Sequence, residues 1–169
     1  DQVLKDTGRP NFEELFLPHL DAAYNLARWL TRDPADADDV VQEAYMRALR
    51  FFGGFHGGDS RAWLLKIVRN TCYTWLRKNH PREIVYELDE EQHEATSGDP
   101  DAVLQEGIDR QLVRKLLDEL PAEYREIIVL RDIEGLSYKE ISSVTELPLG
   151  TVMSRLSRAR KRLQSDAAG

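Results

Sequence analysis

Within SYKEISSVTELPLGTVMSRLSRARKRL, residues 137–163, a proline separates two short amphipathic helices, and few folds accept that arrangement. Tyr138, Ile141, Ser142 and the pair Val144 to Thr145 are spaced for the first helix, with Ser137 as N-cap and Glu140 three residues on as its capping-box partner. Leu147-Pro148 breaks it, because the residue before a proline is pushed out of the helical region. Beyond the break, Val152, Leu156, Ala159 and Leu163 share one narrow side at about 100° per residue. Ser154, Ser157, Arg158 and Lys161 point away from that side, with Arg155 and Arg162 on one edge and Met153 and Arg160 on the other. Gly150 and Thr151 open this helix, Thr151 as its N-cap, and an end of that kind can hold a phosphate. An ordinary helical hairpin has the same apolar pattern. The outer face of short polar groups ringed by cations favours a helix-turn-helix, whose second helix enters the DNA major groove.

A cationic helix sits oddly in a chain of net charge −7, so the distribution of charge matters more than its total. Residues 81–120 carry twelve carboxylates against four cations, whereas residues 51–80 carry five cations and one carboxylate. The acidic stretch REIVYELDEEQHEATSGDPDAVLQEG has a Ser-Gly-Asp-Pro turn and reads as an exposed linker, residues 81–108, between two helical domains at 11–80 and 109–165. The 169 residues are enough for two small cores. No apolar run approaches the roughly 20 residues of a membrane span, and DQVLKDTGRPNF lacks the apolar core of a signal peptide, so a cytoplasmic protein without membrane insertion is expected. Cys72 is the single cysteine and falls on an apolar helix side; four scattered histidines give no metal-ligand spacing. No nucleophile, base or metal set converges, so neither an enzyme nor a cofactor is expected.

The first domain shows three helical periods and no alternating one, which predicts an all-α chain. Asn11 or Pro10 opens NFEELFLPHLDAAYNLARWLT, where Phe12, Leu15, Phe16, Leu20, Ala23, Tyr24, Ala27 and Leu30 form a core face. Asp33-Pro34 starts a second helix, Asp as N-cap and Pro in the first turn. Val40, Val41, Ala44, Ala48 and Phe52 line its packed side, and Asp39, Gln42, Glu43 and Met46 the other. A solvated face would look much the same, except that Met46 suits a contact surface. The third helix follows the loop GGFHGGDS and packs through Leu64, Leu65, Val68, Cys72, Trp75 and Leu76. Its opposite side interleaves Trp63, Lys66, Arg69, Asn70, Tyr73 and Arg77 with no acid, which suits stacking and backbone contacts to single-stranded nucleic acid. A helix whose long cations snorkel beside half-exposed rings is the plainer alternative.

Four ordered segments, DPADADDVVQEAYMRAL, FHGGDSRAWLLKIVRNTCYTWLRK, LPAEYREIIVLRDIEGLSYKEI and LPLGTVMSRLSRARKRL, resemble the extracytoplasmic-function sigma factors, the two-domain class of bacterial RNA polymerase specificity subunits. The resemblance covers about residues 11–80 and 112–164 and implies two all-helical domains, sigma regions 2 and 4, on either side of the acidic linker. It implies that Asp36, Asp39, Gln42, Glu43 and Met46 bind core RNA polymerase, through its β′ and β subunits. It implies that the loop Phe55 to Ser60, with His56 and Asp59, receives a base flipped from the melted −10 element, and that Trp63, Lys66, Asn70, Tyr73 and Arg77 continue that surface. In the second domain Thr151, Ser154, Arg155, Ser157, Arg158, Lys161 and Arg162 are the implied −35 contacts. Met153 and Ser157 stand where many members carry a basic and an aromatic residue, so a different −35 preference is expected. Glu146 stands where a turn glycine is frequent, so a turn without positive φ is expected. With its domains on a flexible tether, the free subunit is expected to leave all three surfaces open. An anti-sigma factor is then expected in a one-to-one complex that competes with core polymerase and compacts the domains.

Overall fold

The computed structural model describes residues 11–84 and 109–169, and within them every regular element is helical. Most of the acidic stretch, from residue 85 to 108, lies outside the described residues, and so does any reading of it as a tether.

Asn11 caps α1 (Phe12–Phe16), its side chain accepting from the Glu14 amide at 2.7 Å. The single helix expected here is interrupted by a 3-10 turn at Leu17–His19, because Pro18 has no amide to continue the ladder. The chain resumes as α2 (Leu20–Thr31), which ends on Arg32 in the left-handed region at φ 63°. Asp33 and Pro34 then do what their positions predict: the Asp33 carboxylate accepts from the Asp36 amide at 3.0 Å and Pro34 opens α3 (Pro34–Phe51). Asp59 caps α4 (Ser60–Asn79), accepting from the Ala62 amide at 3.0 Å. Ahead of it Gly57 and Gly58 run at φ 97° and 90°, a path closed to ordinary side chains. The three long helices pack on one another and bury Leu26, Leu30, Val40, Ala44, Leu64, Leu65, Val68, Cys72 and Leu76. Phe12, Phe16, Phe52, Phe55 and Trp63 pack ring against ring at one end, in stacked, tilted and edge-to-face pairs.

The second domain comprises α5 (Arg110–Glu119), α6 (Ala122–Ile128), α7 (Tyr138–Thr145) and α8 (Leu149–Ala168). Both halves of the expected capping box on α7 are present, Ser137 Oγ accepting from the Glu140 amide at 3.1 Å and Glu140 from the Ser137 amide at 2.9 Å. Between α6 and α7 the helix widens into a π turn at Val129–Ile133. That turn carries Asp132 to Arg160 of α8, a buried guanidinium held through Nε at 3.0 Å and through Nη2. Val152, Leu156, Ala159 and Leu163 are all buried, as their spacing requires.

The two domains are not apart. α4 lies against α7, and α2 against α6. The expectation of an open pair of domains is therefore corrected, and the reason lies in two adjacent residues of α6. Arg125, 1% exposed, donates across the seam to the carbonyls of Trp29 at 2.7 Å and Leu30 at 3.2 Å, and within its own domain to that of Leu120 at 2.7 Å. Burial, and then the Arg32 cation, bring its guanidinium down to about 10, so at neutral pH it enters the seam charged. Glu126, also 1% exposed, accepts from Arg69 Nε at 2.5 Å and from the Tyr73 hydroxyl at 2.6 Å.

Arg125→Ala takes the donor from three carbonyls, those of Leu30 and Leu120 buried and that of Trp29 partly so, and is expected to cost about 3 kcal/mol, given the penalty for orphaned buried groups. Chemical denaturation checks it. Arg125→Lys, which keeps the charge and loses the planar fork, is expected to recover only part of that loss.

Candidate functional site

Three surfaces gather the residues singled out by the sequence. The first is the outer side of α3. Asp39, Gln42, Glu43 and Met46 are exposed in one stripe, while Ala37, Val40, Ala44 and Ala48 are buried behind them. Asp36 is half-buried at the head of the helix, its carboxyl held above the usual range by loss of water and by Asp33 beside it. Met46, 61% exposed, and Leu49, 51% exposed, make the stripe partly apolar, and an apolar surface of that kind invites a partner.

The second surface lies where the C-terminal end of α3 meets α4. A cavity of about 430 Å³ is lined by Arg50, Phe51, Gly53, Gly54, Trp63, Lys66, Ile67 and Asn70. It unites Trp63, Lys66 and Asn70 of the expected −10 set. The loop residues of that set are placed differently. Phe55 packs its ring against Phe16, Phe52 and Trp63; Asp59 caps α4; Ser60 Oγ lies 3.1 Å from His19 Nε2; His56 is exposed. Tyr73 is a correction to the exposed face read from spacing. It is 3% exposed, and burial followed by the Glu126 carboxylate pushes its phenol well above the ordinary value, so it stays a donor. Arg77 remains exposed. The sequence reading missed Phe51, although its position held the signal: Phe52 is in phase with the core of α3, so its neighbour had to point out.

The third surface is the free side of α8. Lys161 and Arg162 are exposed, and Ser154, Arg155 and Arg158 are half-buried beside them. Ser154 Oγ donates to the Thr151 carbonyl at 3.2 Å, and Arg162 lies 3.7 Å from Asp166. Two expectations change. Thr151 stands inside the first turn, because α8 begins at Leu149 with Pro148 in the capping position. Ser157 is 5% exposed, since α8 packs on α5, α6 and α7 together and its covered sector widens toward Ser157 and Arg160. The turn between α7 and α8 corrects a third: Glu146 does adopt positive φ, at 61°. Its carboxylate reaches Lys66 Nζ of α4 at 3.0 Å.

An open crevice of about 650 Å³ runs along the seam, with His19, Asp59, Arg61, Glu134 and Glu140 among its walls. There the Asp59 carboxyl, the Ser137 amide and the Arg61 guanidinium hold Glu140 down at about 2. Among the described residues no group of three or more His, Cys, Asp or Glu is placed to hold a metal ion, and no helix is long and apolar enough to cross a membrane.

Residues 15–82 match the family described as Sigma-70 region 2, and residues 110–163 the one described as Sigma-70, region 4. The chain is 33% identical over 165 residues to the ECF RNA polymerase sigma factor SigE of Mycolicibacterium smegmatis, covering 97% of this chain and 64% of that protein. It is 34% identical over 140 residues to the ECF RNA polymerase sigma-E factor of Escherichia coli, covering 77% of this chain and 73% of that one. Among solved structures, the sigma factor RpoE in complex with the anti-sigma factor NepR, from Bartonella quintana, superposes with a TM-score of 0.69 at 32% identity, over 91% of this chain and 94% of that one. CnrH in complex with the cytosolic domain of CnrY gives a TM-score of 0.64 at 28% identity, over 94% and 89%.

Because Glu140 is held below the 4.5 of a free glutamate, its contribution to stability is complete above that pH and is lost as pH falls toward about 2. Acid titration of the folded chain followed by carboxyl NMR is expected to show Glu140 as a late-protonating carboxyl. In Glu140→Gln the seam should loosen at neutral pH and its remaining pH dependence between 4.5 and 2 should shrink.

Proposed function

The chain belongs to the extracytoplasmic-function sigma factors of the sigma-70 family, and from that premise we propose how its three surfaces divide the work of promoter-specific transcription initiation. The α3 stripe of Asp36, Asp39, Gln42, Glu43 and Met46 grips core RNA polymerase. The cavity between α3 and α4 takes an unstacked base of the melted −10 element, with Trp63 and Phe51 supplying ring faces, Asn70 hydrogen bonds, and Lys66 and Arg77 charge. The free side of α8 reads −35 in the major groove. Arg155 and Arg158 face guanine edges or phosphates, Lys161 and Arg162 follow the backbone, and Ser154 and the first-turn amides near Thr151 meet it at the helix start.

The observation that carries this reading is the packing of α8. α8 buries Val152, Leu156, Ala159 and Leu163 and keeps Ser154, Arg155, Arg158, Lys161 and Arg162 away from that packed side, in the same chain as an exposed stripe on α3 that is acidic and partly apolar. One surface suits DNA and the other a protein. The cytoplasm, where polymerase and DNA meet, is the place of action. Catalysis belongs to the polymerase; this chain binds and positions. A small anti-sigma factor in a one-to-one complex completes the partners. It would compete for the α3 stripe, and it need not bring the domains together, since α2 and α4 already pack on α6 and α7. Run-off transcription with core polymerase on fragmented genomic DNA tests the whole reading. Transcripts starting at a shared promoter motif are the expected result, and none above core alone would overturn it.

Two variants separate the surfaces. Arg158→Ala is expected to weaken −35 recognition by about 1–3 kcal/mol, as for loss of a base-pairing guanidinium, with core affinity unchanged. Promoter competition assays read the first quantity and core titration the second. Asp39→Lys with Glu43→Lys is expected to lower core affinity while helical content and melting temperature hold, because both side chains are exposed.

A further inference from the structure

α8 keeps two apolar side chains out of its packed side. Leu149 is 46% exposed in the first turn and Met153 is half-buried one turn on, so at i and i+4 they are neighbours on the helix surface. They border the side that holds Ser154 and Arg158, and α8 carries no acid before Asp166. Of the chain's two methionines neither belongs to the buried core: Met46 is on the α3 stripe and Met153 is here. Beside Leu149 stands Gly150, where an added Cβ would meet none of the described atoms within 4 Å, so a base pair can come close to this turn.

The polar groups on the same side are limited in what they can read. A guanidinium offers donors only, so Arg155 and Arg158 suit the O6 and N7 acceptors of guanine, or phosphate oxygens. Adenine is ordinarily read by the paired donor and acceptor of an Asn or Gln, and cytosine by a carboxylate. From Leu149 to Leu163 α8 has no Asn, Gln, Asp or Glu. Ser157, 5% exposed, is covered, and Ser154 Oγ donates to the Thr151 carbonyl at 3.2 Å. What still marks an A·T pair in the major groove is the thymine methyl, which calls for an apolar partner.

We propose that Leu149 and Met153 select a thymine of the −35 element by enclosing its methyl group. They stand on the half of the recognition helix that meets base edges. Met153 lies over the methyl, its unbranched thioether chain adapting to the groove, and Leu149 shields the contact from water. The arginines and the apolar pair then divide the element, guanine to the first and thymine to the second. The inference deepens the −35 reading of α8 and rests on it.

Run-off transcription with core polymerase first maps the promoter, and binding of the holoenzyme to promoter duplexes then tests the contact. In each duplex one thymine of the −35 element, on either strand, is replaced by uracil, which keeps the base pair and removes only the methyl. The expected result is a thymine at which uracil weakens binding about fourfold, the scale of one buried methyl group. In Met153→Ala that loss falls away, in Leu149→Ala it shrinks, and in Met153→Leu, which keeps an apolar cover, it remains. Circular dichroism checks that the variants stay folded. Arg158→Ala, in contrast, weakens binding and keeps the sensitivity to uracil. A −35 element whose every thymine tolerates uracil overturns the proposal, as does an element with no A·T pair, and so does a uracil effect that persists undiminished in Met153→Ala and Leu149→Ala. Weakened binding by Arg158→Ala alongside any of these results sinks the methyl contact alone, whereas indifference to Arg158→Ala sinks the −35 reading of α8 beneath it.

Discussion

Arg125 and Glu126 are neighbours in sequence, both almost wholly buried, and opposite in charge. They do not pair with each other. Arg125 turns to main-chain carbonyls at the end of α2, and Glu126 to Arg69 and Tyr73 of α4. Glu126 takes its hydrogen bonds from the opposite domain, and Arg125 divides its own between that domain and the Leu120 carbonyl; a buried charge deprived of its partner is strongly destabilising. The arrangement of the whole chain depends on this crossing of contacts. Once α6 is fixed against α2 and α4, α7 falls beside α4 and α8 is carried on the far side of its own domain. The separate locations of the three candidate surfaces follow from there.

Charge is what distinguishes those surfaces. The chain is acidic in total, yet its cations are collected on α4 and α8 and its carboxylates on α3, in the seam and in the stretch from residue 81 to 120. The apolar cores could have been built without that sorting, since none of these charged groups is needed to bury a leucine. The buried charges Arg125, Glu126 and Arg160, the last paired with Asp132 at the surface, fix which element faces which. They work by direction, because a guanidinium or a carboxylate accepts few geometries whereas an apolar contact accepts many.

What could be read from the sequence was the local and the periodic. The capping box of Ser137 and Glu140, the Asp33-Pro34 start of α3 and the packed side of α8 are each decided within one helical turn or by one repeat, and each is where its spacing puts it. What failed depended on neighbours from elsewhere in the chain. Tyr73 has the spacing of an exposed ring and is buried because α6 brings Glu126 to it. Ser157 has the spacing of a groove-facing residue and is covered because α8 touches three helices instead of one. Glu146 was expected to avoid positive φ because it is not glycine, and propensity gave way to a partner some eighty residues earlier in the chain. Even the interruption at Pro18 was visible only to the extent that one proline can be told from a tolerated kink.

The π turn at Val129–Ile133 fits one more residue into a helical segment than an α-helical path would. Its Glu134 amide reaches back to the Val129 carbonyl at 2.9 Å, and Asp132 arrives in line with Arg160. Shortening this segment by a single residue would restore regular α geometry and turn everything after it by about 100° relative to α6. Asp132 would then leave Arg160, and α7 would approach α4 on the wrong side. The length of this segment therefore sets the phase of the reading head, and a one-residue deletion there is a far graver change than most substitutions.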